Sequence, residues 1–336
     1  MTSRDRVLAA LRGADVDMPP ASFWGHVYHR ESSADELVAH TLERWQRYQW
    51  DWVKLNPRKH YHVEPWGVRY RYSGVPDDKP VLESFPVHAP GDWDHVGEVP
   101  HDRGALGEQL EAVRALRRRL PAEVPLLQTV FTPLAILGEM TEPPATLKEH
   151  LRTAPAKVER ALATVTAVFE RHVREVMRAG ADGIFLATVD WGCREFVSPE
   201  DLERWSRPYD LRLLAAAGPS PYHTLHVCKP DNLLFEFADY PVGAFSYDVS
   251  AAGNPSLATA LARLPGAVMG GIAHEGALQQ GAQPARENYR RALAATGGRR
   301  WLCAPGCSIP PETPPEALAA IRDEIGHPAH EGRSAV

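Results

Sequence analysis

Thr224-Leu225-His226-Val227-Cys228-Lys229-Pro230 decides how this chain is read. Residues 222–227 form a short run rich in apolar and β-branched side chains, which reads as a strand ended by Lys229-Pro230. Residues two apart on a strand point to one side, so His226 and Cys228 face a common point at its C-terminal end. The distant Ala304-Pro305-Gly306-Cys307 offers a third soft donor on a later turn. One imidazole with two thiolates is a zinc ligand set, and three protein ligands leave a fourth position open for chemistry. The plain alternative is a buried histidine and two core cysteines.

Outward from this strand the same unit recurs. Residues 21–25, 52–56, 124–130, 183–187, 222–227, 244–248, 267–272 and 300–304 read as eight strands. Helical spacing or capping signals place helices at 4–12, 34–49, 106–120, 153–180, 198–217, 231–239, 256–264, 284–296 and 314–325. Strands alternating with helices, with no flexible linker between them, predict an α/β fold: a single (β/α)8 TIM barrel over residues 1–326. The first helix precedes the barrel, and a long loop and hairpin insertion at about 57–100 follows the second strand. Residues 327–336 read as a flexible tail. A doubly wound sheet fits less well, because no Gly-rich phosphate loop follows the first strand.

Composition narrows the function class. A chain of 336 residues that is 44% hydrophobic and 24% charged has an ordinary globular balance. A net charge of -6 gives no reason to expect nucleic acid or an anionic membrane surface. Four cysteines in so long a chain do not make a disulfide framework, and a reducing compartment fits. No apolar run reaches the ~20 residues of a membrane span, and residues 1–6 lack the apolar core of a signal peptide, so a cytoplasmic protein is expected.

Barrel sites sit where strands run into their following loops. That rule gathers Trp24 and His26 after the first strand, and Lys54, Asn56 and Arg58 at the second. It adds Asp190 after the fourth, His226 and Cys228 at the fifth, Tyr247 and Asp248 at the sixth, and Cys307 after the eighth. The metal reading then rests on a shared face as well as on spacing.

These residues also carry a resemblance. Leu225-His226-Val227-Cys228 with Ala304-Pro305-Gly306-Cys307-Ser308-Ile309-Pro310 resembles the zinc-binding pattern of the uroporphyrinogen decarboxylase-like superfamily. More narrowly it is similar to that superfamily's methyltransferase branch, which includes methylcobalamin:coenzyme M methyltransferases. Arg6–Gly13, Asp51–Pro57, Gly180–Ile184 and Val268–Ile272 extend the likeness over most of the chain. The resemblance implies a (β/α)8 barrel with His226, Cys228 and Cys307 as zinc ligands. It further implies methyl or alkyl transfer to a small-molecule thiol activated as its zinc thiolate. No Asp-x-His-x-x-Gly corrinoid-binding pattern occurs, so a corrinoid such as methylcobalamin would arrive on another protein or free in solution. A homodimer is a further candidate assembly.

Each residue keeps a plainer alternative. Asp248 is the candidate fourth ligand, or a carboxylate capping the following turn. His26, with His29, His60 and His62, could serve acid–base chemistry or be solvated. Trp24 and Tyr247 could line a pocket or pack in the core. Lys54, Asn56 and Arg58 are the candidate holders of a substrate anion, and Lys54 could equally sit in a salt bridge; Asp190 is a candidate substrate contact. Decarboxylation of uroporphyrinogen is the alternative reaction. The Arg-rich motif that grips the porphyrinogen carboxylates is replaced here by Phe23-Trp24-Gly25-His26-Val27-Tyr28-His29-Arg30. A zinc- and thiol-binding protein without turnover is the alternative outside enzymes.

Overall fold

The computed structural model describes residues 1–75 and 77–326, so the expected tail at 327–336 lies outside the described residues. Among the described residues nine strands form: β1 (Val53–Leu55), β2 (Arg69–Arg71), β3 (Val81–Ser84), β4 (Leu126–Phe131), β5 (Gly183–Ala187), β6 (Thr224–Val227), β7 (Ala244–Tyr247), β8 (Ala267–Ile272) and β9 (Trp301–Pro305). Seven of them make one parallel sheet in the order β1-β4-β5-β6-β7-β8-β9, while β2 and β3 pair antiparallel. The strands are apolar along nearly their whole length because both faces are covered, as in parallel sheets generally. Alternate residues separate into two cores. Leu225, Val227, Phe245 and Val268 join the layer under the helices. Trp24, Leu127, Phe185, Met269 and Leu302 fill the inside of the curl, where Val7 and Ala10 of the first helix, Ser3–Arg12, join them.

The expected first strand is corrected. Residues 21–25 do not form a ladder; Ala21 and Gly25 make single parallel bridges to Cys303 and Ile309. Asp51 N–H donates to the Ala21 carbonyl and Ser22 Oγ donates to the Trp52 carbonyl, while Ile309 N–H donates to Trp24 on the other side. Pro19 and Pro20 supply no N–H, and the segment shifts its bonding from one neighbour to the other within four residues. A side chain at Gly25 would put its Cβ 2.6 Å from the Ile309 carbonyl oxygen, so this close crossing needs glycine. The result is a curled, TIM-barrel-like parallel sheet whose two edges meet at residues 20–22, which bond to Asp51 and Trp52 just before β1 and to Cys303 of β9.

Three helices also differ from expectation. The long helix expected at 153–180 forms as Pro155–Arg178, and a separate helix that the sequence reading did not include, Ala145–Thr153, precedes it; Pro155 starts the second at a first-turn position where its missing N–H costs nothing. The helix after β5 breaks into Pro199–Trp205 and Arg207–Ala217: Pro208 lacks the N–H that would reach back to Arg204. The expected helix at 231–239 is reduced to one turn, Leu234–Phe237, since Asp231 has a left-handed φ of 46°. The caps at Ser33 and Ser198 form as their sequences require.

One buried carboxylate joins these parts. Asp51, fully buried, accepts from the Ala21 N–H at 2.9 Å and from the Arg6 guanidinium, and Arg322 of the last helix lies 3.6 Å away. Removing it leaves two buried guanidinium groups without that partner. Asp51→Ala should therefore lower unfolding free energy by about 3–5 kcal/mol in chemical denaturation. A loss within about 0.5 kcal/mol, the range of ordinary surface changes, would show that the seam does not depend on it.

Candidate metal centre

Strand alternation sets the first donor. Leu225 and Val227 are buried under the helices, which turns His226 to the inner face, in register with Ala187 on one side and Ser246 on the other. His226 Nδ1 lies 3.0 Å from Ser246 Oγ, and its ring stacks on Phe185 with centroids 5.2 Å apart. With Nδ1 engaged by the hydroxyl, Nε2 is the nitrogen available to a metal. Cys228 follows directly, its N–H donating to Thr188 Oγ1. Cys307 comes from the turn after β9, fixed by Gly306 N–H donating to the Ile272 carbonyl. A Cβ at Gly306 would lie 2.5 Å from Asp248 Oδ1, so glycine lets this turn approach β7.

The donor atoms of His226, Cys228 and Cys307 all lie within 4.8 Å of one another, and no other such trio of metal donors occurs among the described residues. The thiols are already polarised. The hydrogen bond between them pulls Cys307 well below the ordinary thiol value, with His226 adding to the pull. The same bond, with burial, pushes Cys228 up. A pair sharing a proton in this way, beside an imidazole of the right tautomer, fits a zinc ion's demand for two thiolates and one neutral nitrogen.

These donors open on a cavity of about 130 Å³, walled by Trp24, Phe131 and Phe185 and carrying His26, Lys54 and Asn56. Lys54 donates to Asn56 Oδ1 at 2.6 Å and lies 4.8 Å from the centre of the Phe185 ring. No carboxylate pairs with it among the described residues. Burial lowers its pKa to about 7, against the opposing pull of Cys307 and Cys228. His26 also lines the cavity, with Nδ1 2.8 Å from Glu31. His60 and His62 share the Glu139 carboxylate at 3.1 Å each.

The other candidates sit differently. Arg58 lines the cavity, but its guanidinium bonds to Glu64 at 2.6 Å, Glu108 at 3.0 Å and the Tyr70 hydroxyl, which leaves it committed to protein partners. Asp190 pairs with Lys229 at 2.8 Å and is not part of the cavity wall. Tyr247 is not brought to the site: it is fully buried in the outer core, with its hydroxyl donating to the carbonyls of Pro255 and Ser256. Asp248 stands beside the cysteine turn, accepting from Ser250 N–H at 2.9 Å and lying 3.8 Å from His274, and does not join the converging trio. Two residues escaped the sequence reading. Ser246 shares its strand face with Asp248, so period-two alternation could have found it. Glu31 lies in a loop with no periodicity, and only tertiary burial marks it.

The sequence profile of the family described as "Uroporphyrinogen decarboxylase (URO-D)" matches residues 2–327. A uroporphyrinogen decarboxylase of Trichlorobacter lovleyi is 28% identical over 172 residues, 50% of this chain and 48% of its own length. That of Syntrophotalea carbinolica is 29% identical over 229 residues, 64% and 63% of the two chains. A methylcobamide:CoM methyltransferase of Methanosarcina barkeri is 26% identical over 236 residues, 67% of each. The chain thus spans about half to two thirds of the length of these curated relatives. A solved methyltransferase from Methanosarcina mazei shares the fold, with a TM-score of 0.81 at 22% identity over 96% of this chain and 99% of that one. Decarboxylases and a methyltransferase stand at similar identity, so the discrimination between them falls to the site.

Protein purified from zinc-containing medium should carry about one zinc per chain by elemental analysis, as a single three-ligand site requires. Cys228→Ser and Cys307→Ser should each lose most of it, while Cys303→Ser, altering a fully buried thiol of the outer core, should keep it. Retention of full zinc by Cys307→Ser would remove that residue from the ligand set.

Proposed function

The chain belongs to the uroporphyrinogen decarboxylase (URO-D) family, and within it we propose a zinc-dependent transferase that moves a methyl or alkyl group onto a substrate thiol. The observation that carries this reading is the convergence of His226, Cys228 and Cys307 at one cavity. Zinc held by one neutral imidazole and two thiolates would lower a substrate thiol's pKa while leaving its sulfur electron-rich. The remaining residues prepare the space. Trp24, Phe131 and Phe185 exclude water, which strengthens the electrostatics inside. Lys54, a buried cation without a carboxylate partner, balances negative charge gathered at the sulfur atoms, and Asn56 holds its ammonium in place. The four cysteines are free thiols, as a reducing, cytoplasmic setting allows.

The methyl donor we propose is a methylated corrinoid brought by another protein, the donor class named for the Methanosarcina barkeri relative. Two features weigh against porphyrinogen decarboxylation. A polycarboxylate needs clustered arginines for bidentate pairing. Here Arg30 pairs with Glu36 and Glu43, and Arg58 with Glu64 and Glu108. The cavity of about 130 Å³ is also small beside the ~300–1,000 Å³ of pockets for drug-sized ligands, and a tetrapyrrole is larger still.

Zinc-edge X-ray absorption with a panel of small thiols should report one additional sulfur neighbour, and incubation with methyl or alkyl donors should yield the thioether. If the zinc environment is unchanged by every thiol, thiol activation fails. If thiols bind without any thioether, the protein is a thiol-binding protein without turnover. Uroporphyrinogen should give no coproporphyrinogen at catalytic rates; its appearance would move the protein to the decarboxylase branch.

A further inference from the structure

Activating a thiol leaves a proton to be placed, and the cavity holds a group built to take one. His26 lines it, with a side chain 15% exposed, while its Nδ1 lies 2.8 Å and 3.0 Å from the two oxygens of Glu31. The imidazole is fixed further by stacking on Tyr28, ring centroids 4.8 Å apart and 11° from parallel. Glu31 is completely buried. Its carboxylate also accepts from the Val27 N–H at 2.9 Å and from the Lys59 N–H at 3.4 Å. A carboxylate held by backbone donors can only accept, so His26 Nδ1 carries the hydrogen and its Nε2 has the lone pair. Nε2 has no protein partner among the described residues and is not sealed from the cavity.

Charge supports the same assignment. Burial lowers the His26 pKa in spite of Glu31, and Lys59 and Lys54 lower it further, so the ring is neutral at neutral pH. Burial raises Glu31, but His26 and the Val27 N–H outweigh it and keep the carboxyl ionised. The titratable groups facing the pair are Tyr28, Lys54 and Lys59, with His40, Arg44 and Tyr72 turned toward Glu31. Lys54 and Lys59 also line the cavity, but Lys54 donates to Asn56 and neither is held by a carboxylate among the described residues.

We infer that His26 Nε2 accepts the proton lost by the substrate thiol, and that Glu31 is the positioning residue that sets its tautomer. The inference rests on the thiol-transfer reading. The S–H bond breaks with its electron pair left on sulfur, and the proton goes to Nε2, giving an imidazolium whose Nδ1–H stays with Glu31. Sulfur then forms its bond to the methyl carbon as the bond from that carbon to the corrinoid donor breaks, and that electron pair leaves with the donor. The imidazolium returns its proton to water after the thioether departs.

Proton counting tests this without turnover. Zinc-loaded full-length protein is titrated with 2-mercaptoethanol at pH 7 in two buffers of different ionisation enthalpy. Wild type should release fewer protons per bound thiol than His26→Gln, because the negative charge of the bound thiolate raises the proton affinity of His26 against the burial that keeps the resting ring neutral; His26→Gln should release about one to the buffer. Glu31→Gln should fall between the two, with Glu31→Asp closer to wild type. Zinc content and the far-ultraviolet circular dichroism spectrum accompany each variant. Equal release by wild type and by a folded, zinc-loaded His26→Gln would overturn the assignment and leave thiol activation standing. No thiol binding by zinc-loaded wild type would overturn the thiol reading itself, and this inference with it.

Discussion

The architecture depends on a buried carboxylate at the seam of the sheet. Asp51 grips Ala21 twice, through its own backbone N–H and through its side chain, and Ala21 bridges to Cys303 of β9. The same carboxylate engages Arg6 of the first helix. Burying an ion pair is seldom a net source of stability, but losing one partner of it is costly, so the arrangement fixes which elements meet there. It holds β1 and β9 against one short segment where no regular ladder exists. The site depends on that seam, because Lys54 lies on β1 and Cys307 follows β9, and both must reach the cavity served by β6.

Inside the curl, function is a matter of strand parity. Inner positions serve packing and the site together: Phe185 belongs to the inner core and also walls the cavity, stacked on His226, while the residues that follow the strands complete the site at the C-terminal rim. One residue of slippage in β6 would exchange His226 for Val227 on the inner face and remove the imidazole from the site. The apolar character of Leu225 and Val227 therefore does chemical duty: their burial under the helices aims the ligand.

The electrostatics of the cavity follow from burial. Lys54 is a cation on aromatic faces with an amide as its closest partner, an arrangement that is costly unless negative charge is near. Two thiols sharing a proton supply part of it. Arg58 shows the opposite case: with Glu64 and Glu108 in place it is neutralised and serves the shape of the loop carrying His60 and His62. Two cations four residues apart thus differ in role because of their partners.

Much of this was legible in the residues themselves. The alternation of apolar runs with capped amphipathic segments set the order of strands and helices, and spacing with strand-end position singled out His226, Cys228 and Cys307; those are local properties, dictated by backbone periodicity and donor chemistry. Tertiary structure alone decided that residues 21–25 join the sheet by single bridges, that Tyr247 points to the outer core, and that Arg58 is taken while Lys54 is not. It also brought Glu31 from an unpatterned loop to the back of His26. Such outcomes turn on which distant groups compete for one donor or acceptor in a buried space, and a linear sequence carries no record of that competition.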